Sequence, residues 1–213
     1  MAKRSEQLVI LEKNLRKVKA ITKGVCPVEC KTTVQDLKVQ SLILLSHAAI
    51  EEYLEITALD SAKKARDIFK NQGVITKALI GLISSGILED KIEGRSKYKI
   101  GKDLCTNIDV FSEKAFNSFR NLIENNHGIR KSNQMNLLLP IGVNPEVVDS
   151  ATMAALDSFG LKRGKVAHKL KIEKVHTLSE IDGDLKTILA GLQIYDDAAN
   201  DAIRMRMRKK HSS

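Results

Sequence analysis

The residues with the most chemical potential lie in Leu161-Lys162-Arg163-Gly164-Lys165-Val166-Ala167-His168-Lys169, which joins a fixed guanidinium to an imidazole. Cleaving RNA without a metal needs a base for the 2′-hydroxyl proton, an acid for the leaving 5′-oxygen, and positive charge on the phosphorane-like transition state. Imidazole titrates near neutrality and guanidinium grips phosphate oxygens in a fork, so His168 and Arg163 are the right types. Five residues of helix turn through about 500°, which sets their Cβ vectors roughly 140° apart. One straight helix therefore does not put both on one face. The Arg side chain can curl back, Gly164 can permit a local distortion, or a second subunit can bring an identical pair and supply the second imidazole. Spacing alone favours a plainer account, with Arg163 and Lys165 on a solvated face and His168 as a helix C-terminal cation.

Around this pair, Lys162, Lys165 and Lys169 would attract RNA phosphates if they line a cleft, or else form a solvated basic face. Glu51 and Glu52 could orient the pair across a bundle, and Glu52 is the choice of the two; the alternative is a pair of surface carboxylates. His47 reads as a core or interface histidine that could, with Glu52, support the pair from behind, His127 as part of a polar helix terminus, and His176 and His211 as loop and tail residues.

The elements that must position these groups read as helices. The chain has 213 residues, no Trp, three prolines and twelve glycines, and most of its segments show 3.6-residue apolar spacing. An all-α class follows. From Val34 to about Thr57 the residues Leu37, Leu44, Leu45, Ala48, Ala49, Tyr53 and Ile56 predict a wide central stripe, with shorter helices over Ala62–Lys70 and Ile75–Leu88. Glu89 to Gly101 reads as an exposed connection. Ser112 is placed as the cap of a helix that ends near Asn125-Asn126-His127-Gly128, where Gly128 suits a left-handed stop, and Ser132 as the cap of a short helix before Pro140. Asn144-Pro145 starts a helix running to about Leu170, and Ser179-Glu180 starts the last and longest, ending in the basic stretch Arg204 to Lys210. These predict an antiparallel helical bundle in one domain, residues 1–213, with a core near 35–205, a small helical insertion near 61–102 and a basic tail at 204–213.

Composition narrows the function further. Thirty-five Lys and Arg against 26 Asp and Glu give a net charge of +9, which suits an anionic partner. The longest apolar runs, Ser41 to Ile50 and Ala78 to Leu88, fall short of the roughly 20 residues that cross a bilayer, and a cytoplasmic location is expected. Cys26, Cys30 and Cys105 are expected as thiols; Cys26 and Cys30 lack a second Cys/His pair at ligand spacing, so neither a metal nor another cofactor is expected. The helices between Ala62 and Leu88, with a turn at Asn71-Gln72-Gly73 and a wing over Lys97–Lys102, also carry a weak helix-turn-helix pattern of a DNA-binding regulator.

The order Ile129-Arg130, Leu137-Leu138, Pro140-Ile141-Gly142, Leu156-Asp157 and Arg163-Gly-Lys-Val-Ala-His168 resembles the HEPN superfamily, within it the RiboL-PSP-HEPN and related stand-alone groups. The early segment Leu44-Leu45-Ser46-His47-Ala48-Ala49-Ile50-Glu51-Glu52-Tyr53-Leu54 is similar to that family's N-terminal core helix. The resemblance covers residues 35 to 205. It implies a four-helix up-and-down bundle that dimerises, a metal-independent endoribonuclease with Arg163 on the scissile phosphate and His168 in proton transfer, and cyclic 2′,3′-phosphate products. It further implies a toxin or antiphage defence effector, with an antitoxin or defence-system partner. Gly164 stands where the family often has a polar residue, which supports the alternative of an inactive RNA- or protein-binding module.

Overall fold

A computed structural model describes residues 4–89, 101–102, 104, 107–168 and 176–204, with backbone only at 87–89 and at 168. The described residues form seven α-helices and two 3-10 turns. The helices are α1 (Glu6–Lys19), α2 (Thr33–Gln72), α3 (Lys77–Glu89), α4 (Ile108–Glu124), α5 (Lys131–Leu138), α6 (Pro145–His168) and α7 (Leu178–Arg204). The chain divides into two compact units: one of Met1–Leu54, His127–Gln134 and Pro145–Asp196, the other of Glu55–Asn126, Met135–Asn144 and Asp197–Ser213.

The first unit contains α1, the first part of α2, all of α6 and most of α7. Its α1 starts at Ser5, whose hydroxyl accepts the Leu8 N–H, and buries Leu8, Leu11 and Leu15 on one face. Two contacts set α1 antiparallel to α7: the Ser5 N–H donates to Asp196 at one end, and Lys19 pairs with Asp182 at the other. The Tyr53 hydroxyl donates to Asp196, while the Ser179 N–H donates to the Pro27 carbonyl ahead of α2, so α2 runs with α7. On α6 the contacts run the other way, Lys162 reaching Asp184 and the Asp149 carbonyl accepting from Tyr195. The four helices thus alternate in direction, as in an up-and-down bundle.

Within this unit the core face of α2 is not the stripe that the sequence suggests. Val39, Leu42, Ile43, His47, Ile50, Tyr53 and Leu54 are buried, whereas Val34, Leu37, Leu44, Leu45 and Ala48 are exposed. At 100° per residue the two sets occupy opposite sides of the helix. Apolar counting merges two such faces and cannot tell which one meets the core.

Helix α6 departs from regular geometry at Asp149 (φ −162°, ψ 93°), not at Gly164. The Asp149 carboxylate accepts the Ala151 N–H and the Thr152 hydroxyl, so it caps the long part of the helix. Helix α7 packs closely there. A Cβ on Gly191 would fall 1.6 Å from the Thr152 hydroxyl oxygen. The last helix begins at Leu178 and is capped by Thr177, whose hydroxyl accepts the Glu180 N–H, two residues earlier than Ser179-Glu180 implied. At 27 residues it is shorter than the 40-residue α2, so it is not the longest.

In the second unit, α2 continues through Ala58, Ser61, Ala62 and Ala65 without a break, because Thr57 to Ala62 contains neither Gly nor Pro. The separate helix expected over Ala62–Lys70 is therefore the end of α2. Gly73, at φ 65°, stops it and donates its N–H to the Phe69 carbonyl, and Thr76 caps α3 by accepting the Leu79 N–H. Ala65, Ala78, Leu79, Ile83 and Ala202 form the core of this unit, joined by Phe69, Leu104, Ile108, Phe111 and Ile203. Helix α3 is held against the 3-10 turn Leu139–Ile141 and against α4, and a side chain at Gly81 would collide with the Pro140 carbonyl oxygen at 2.8 Å. Two faces of α3 are thus packed, while Lys77, Ile80 and Ser84 stay exposed on a third, in the segment that carries the helix-turn-helix pattern. Its wing lies mostly outside the described residues, as do the connection over 90–100, Cys105 and the basic end beyond Arg204.

Three further cap assignments change. Helix α4 starts at Asn107 and not at Ser112, which is buried inside it and donates to the Asp109 carbonyl. It stops at Asn125, while Gly128 takes φ 152°, an extended mirror conformation and not a left-handed helix stop. Ser132 sits inside the first turn of α5, whose leading Lys131 N–H is capped from a distance by the Asp157 carboxylate at 2.9 Å.

Candidate functional site

Within the first unit, the loop His127–Arg130, α2 and α6 surround a pocket of about 390 Å³, lined by His47, His127, Arg130, Asn133, Arg163 and Lys165 with Gly128, Gly160, Leu161 and Gly164. Three cations and two imidazoles converge there, and no carboxylate is among these lining residues. Space is made by glycines. A Cβ on Gly164 would meet nothing within 4 Å, whereas one on Gly160 would press the Arg130 stem at 3.0 Å. Gly128, at φ 152°, brings the loop against Asn133 in a backbone conformation that other residues rarely adopt.

Arg163 and Lys165, two of the expected site residues, line this pocket. His47 does too, and it is only 3% exposed. Burial, and second the Arg163 charge, push its pKa down from 6.5 to about 4, so the ring is neutral at pH 7. The carboxylate beside it is Glu51, 3.5 Å from Nδ1, and not the expected Glu52, which is exposed and absent from the pocket. Residues 51 and 52 differ by 100° around α2, which is enough to turn one toward His47 and the other to solvent.

Lys162, also expected at the site, is not among the residues that line the pocket. Its ammonium, 15% exposed, bonds Glu180 at 2.5 Å and Asp184 at 2.6 Å. Burial alone would lower its pKa, but the Asp184 and Glu180 hydrogen bonds hold it above the ordinary lysine value. The reason is again angular: Lys162 projects about half a turn away from Gly160 and Gly164, toward α7. Lys169 and the side chain of His168 lie outside the described residues. The backbone of α6 is regular from Arg163 to His168, so Gly164 introduces no distortion between them.

His127, Arg130 and Asn133 are the site residues that sequence reasoning missed. They approach the pocket from a loop and the start of α5, with no helical spacing to Arg163 that could have flagged them. Arg130 Nε donates to Asp157 at 3.1 Å. The Lys131 backbone N–H first, then Arg130, hold the Asp157 carboxyl below the usual carboxylate range. Among the described residues no group of three or more His, Cys, Asp or Glu side chains could hold a metal ion, and no helix is long and apolar enough to cross a membrane. Chemically the pocket can bind a phosphate-sized anion and hold imidazole nitrogens beside it.

Comparison with known proteins gives one finding: residues 2–201 match the family model of RiboL-PSP-HEPN. No curated protein and no solved structure matches the chain.

Proposed function

We propose, from the premise that the chain belongs to the RiboL-PSP-HEPN family, that it is a metal-independent endoribonuclease acting through Arg163 and His168. Family membership supports a ribonuclease or nucleotide-binding role. The observation that carries the finer reading is the convergence of Arg163 with Arg130, Lys165 and two imidazoles in one pocket free of lining carboxylates. Such a pocket is suited to an RNA phosphodiester and to the negative charge that grows on it during attack.

In the reaction the substrate 2′-oxygen forms a bond to phosphorus and the bond from phosphorus to the 5′-oxygen breaks. One imidazole takes the 2′-hydroxyl proton and a second acid protonates the leaving 5′-oxygen, giving a 2′,3′-cyclic phosphate and a 5′-hydroxyl. Arg163 neutralises the non-bridging oxygens, and His168 serves in proton transfer. A second copy of the chain supplies a second His168. Its docking is supported by the exposed apolar side of α2, where Val34, Leu37, Leu44 and Leu45 form one stripe opposite the core face. Action as a toxin or antiphage effector, held silent by an antitoxin or defence-system partner, completes this reading.

The second reading is an RNA-binding module without cleavage, favoured by Gly164, which leaves open space where the family often has a polar group. Cleavage of total tRNA and rRNA in EDTA, with end-group analysis, separates the two. Metal-independent fragments with cyclic phosphate ends, lost in Arg163→Ala and in His168→Ala, are expected of the enzyme. Binding without cutting, unchanged by His168→Ala, would establish the module instead.

A further inference from the structure

The second guanidinium of the pocket is anchored in a way that leaves its binding edge available. Arg130 uses Nε to bond Asp157, and the same carboxylate oxygen accepts the Lys131 N–H, so one side chain on α6 both caps α5 and fixes the near edge of the guanidinium. One turn further along α6, Gly160 removes the side chain that would meet the Arg130 stem at 3.0 Å. The stem therefore lies against bare helix backbone while half of the side chain stays exposed. A guanidinium bonded through Nε keeps four N–H groups on its two terminal nitrogens, arranged as the planar fork that fits two phosphate oxygens. Ion pairing with Asp157 takes up part of the charge, yet Arg163 and Lys165 line the same pocket and leave the whole cationic.

We propose that Arg130 is the second phosphate clamp of this site, gripping a phosphodiester of single-stranded RNA from the loop side while Arg163 grips from α6. Asp157 and Gly160 are its positioning residues. The choice of an RNA phosphodiester as ligand rests on the ribonuclease reading; the clamp itself rests on the anchoring of Arg130. Arg130 would act on binding before any bond is made or broken, so a ligand that cannot be cut tests it.

The probe is a fluorescent single-stranded oligonucleotide with 2′-O-methyl groups, which has no 2′-hydroxyl to attack, titrated into the full chain over a series of salt concentrations. Arg130→Ala is expected to weaken binding about tenfold and to reduce the slope of log affinity against log salt by about 0.7, the share of one phosphate contact on a single strand. Arg130→Lys keeps the charge and the slope but loses the fork, so its affinity falls by severalfold. Asp157→Asn, with the Lys131 N–H still accepted, gives an intermediate loss. Arg16→Ala removes an exposed cation of α1 elsewhere in the unit and leaves affinity and slope at the parent values. Thermal melts of the variants establish that they are folded, and Arg130→Lys gives a result even where Arg130→Ala does not fold. Arg130→Ala or Arg130→Lys binding like the parent, or a parent without salt-sensitive affinity for the probe, overturns the proposal. The cleavage assay with His168→Ala judges the ribonuclease reading separately.

Discussion

His47 makes the wall of the pocket sensitive to acid, and the size of the effect follows from its surroundings. Its ring is buried, and its pKa falls from 6.5 to about 4, with burial the larger cause and the Arg163 charge the second. Glu51 on its own helix favours the charged ring at 3.5 Å, while Arg163 and Lys165 from α6 and Arg130 and His127 from the loop line the pocket it faces. The folded chain therefore binds this proton less readily than the unfolded chain does. Stability from His47 is complete above pH 6.5 and is lost as the pH falls toward 4, by about 3 kcal/mol in all and about 2 kcal/mol by about pH 5. Urea unfolding of the parent and of His47→Leu at neutral pH and at about pH 5 reads this directly, since the carboxylates common to both chains cancel in the comparison. The parent should lose about 2 kcal/mol more than the variant. In an NMR titration the His47 ring should protonate near pH 4, and Arg163→Ala should move that point upward but keep it below 6.5, because burial remains. Equal acid losses in the two chains, or a His47 ring that titrates at 6.5 or above, would refute the reasoning.

Two helical glycines should respond to alanine with opposite signs. Gly191→Ala forces Thr152 away from its bond to Asp149 and should lower stability by about 1–3 kcal/mol, whereas Gly164→Ala meets open space and should raise it by about 1 kcal/mol. Thermal or urea unfolding checks both, and a Gly191→Ala chain as stable as the parent would show that α6 and α7 are not in tight contact. Lys162→Met should cost about 1 kcal/mol by removing the ammonium that Glu180 and Asp184 share, a modest figure because both carboxylates are partly in water and Glu180 keeps His176 at 3.2 Å. Its salt dependence of oligonucleotide binding should equal that of the parent; a shallower slope would mean that Lys162 faces RNA after all.

What the sequence made legible was periodic. Helix starts at Pro145 and near Lys77, the stop near Asn125 and the all-α class all follow from local spacing and punctuation. Arg163 and Lys165, which line the pocket, are legible as candidates because they share one segment with His168. Three things were hidden. Helix α2 carries apolar residues on opposite faces, so its core side had to be learned from packing. Caps escape local reading where the capping group is distant in sequence, as with Asp157 for α5, or where a neighbouring hydroxyl competes, as with Thr177 two residues before Ser179 at α7. The pocket itself joins His47, His127, Arg130 and Arg163 across long stretches of chain, and no local pattern pairs Arg130 with Asp157 although both stood in segments that carried the family resemblance.

The physical logic of the site is concentrated in α6, where successive residues serve opposite sides of one helix. Asp157, Gly160 and Gly164 follow at steps of three and four and so share the pocket face, where Asp157 anchors Arg130, Gly160 admits its stem and Gly164 leaves volume for a ligand. Lys162 lies on the reverse side and ties α6 to α7 through two carboxylates, while Thr152 and Gly191 let the same two helices approach closely at the other end. A helix fixed at both ends on its reverse side can present an unfilled face to a ligand without collapsing into it. The glycines of α6 and α7, which count locally as weak helix formers, thus set where helices touch and where they leave room. The charge pattern follows from the same division. The lysine on the packed side is neutralised within the fold, and Arg163, Lys165 and Arg130 remain to give the pocket its positive field.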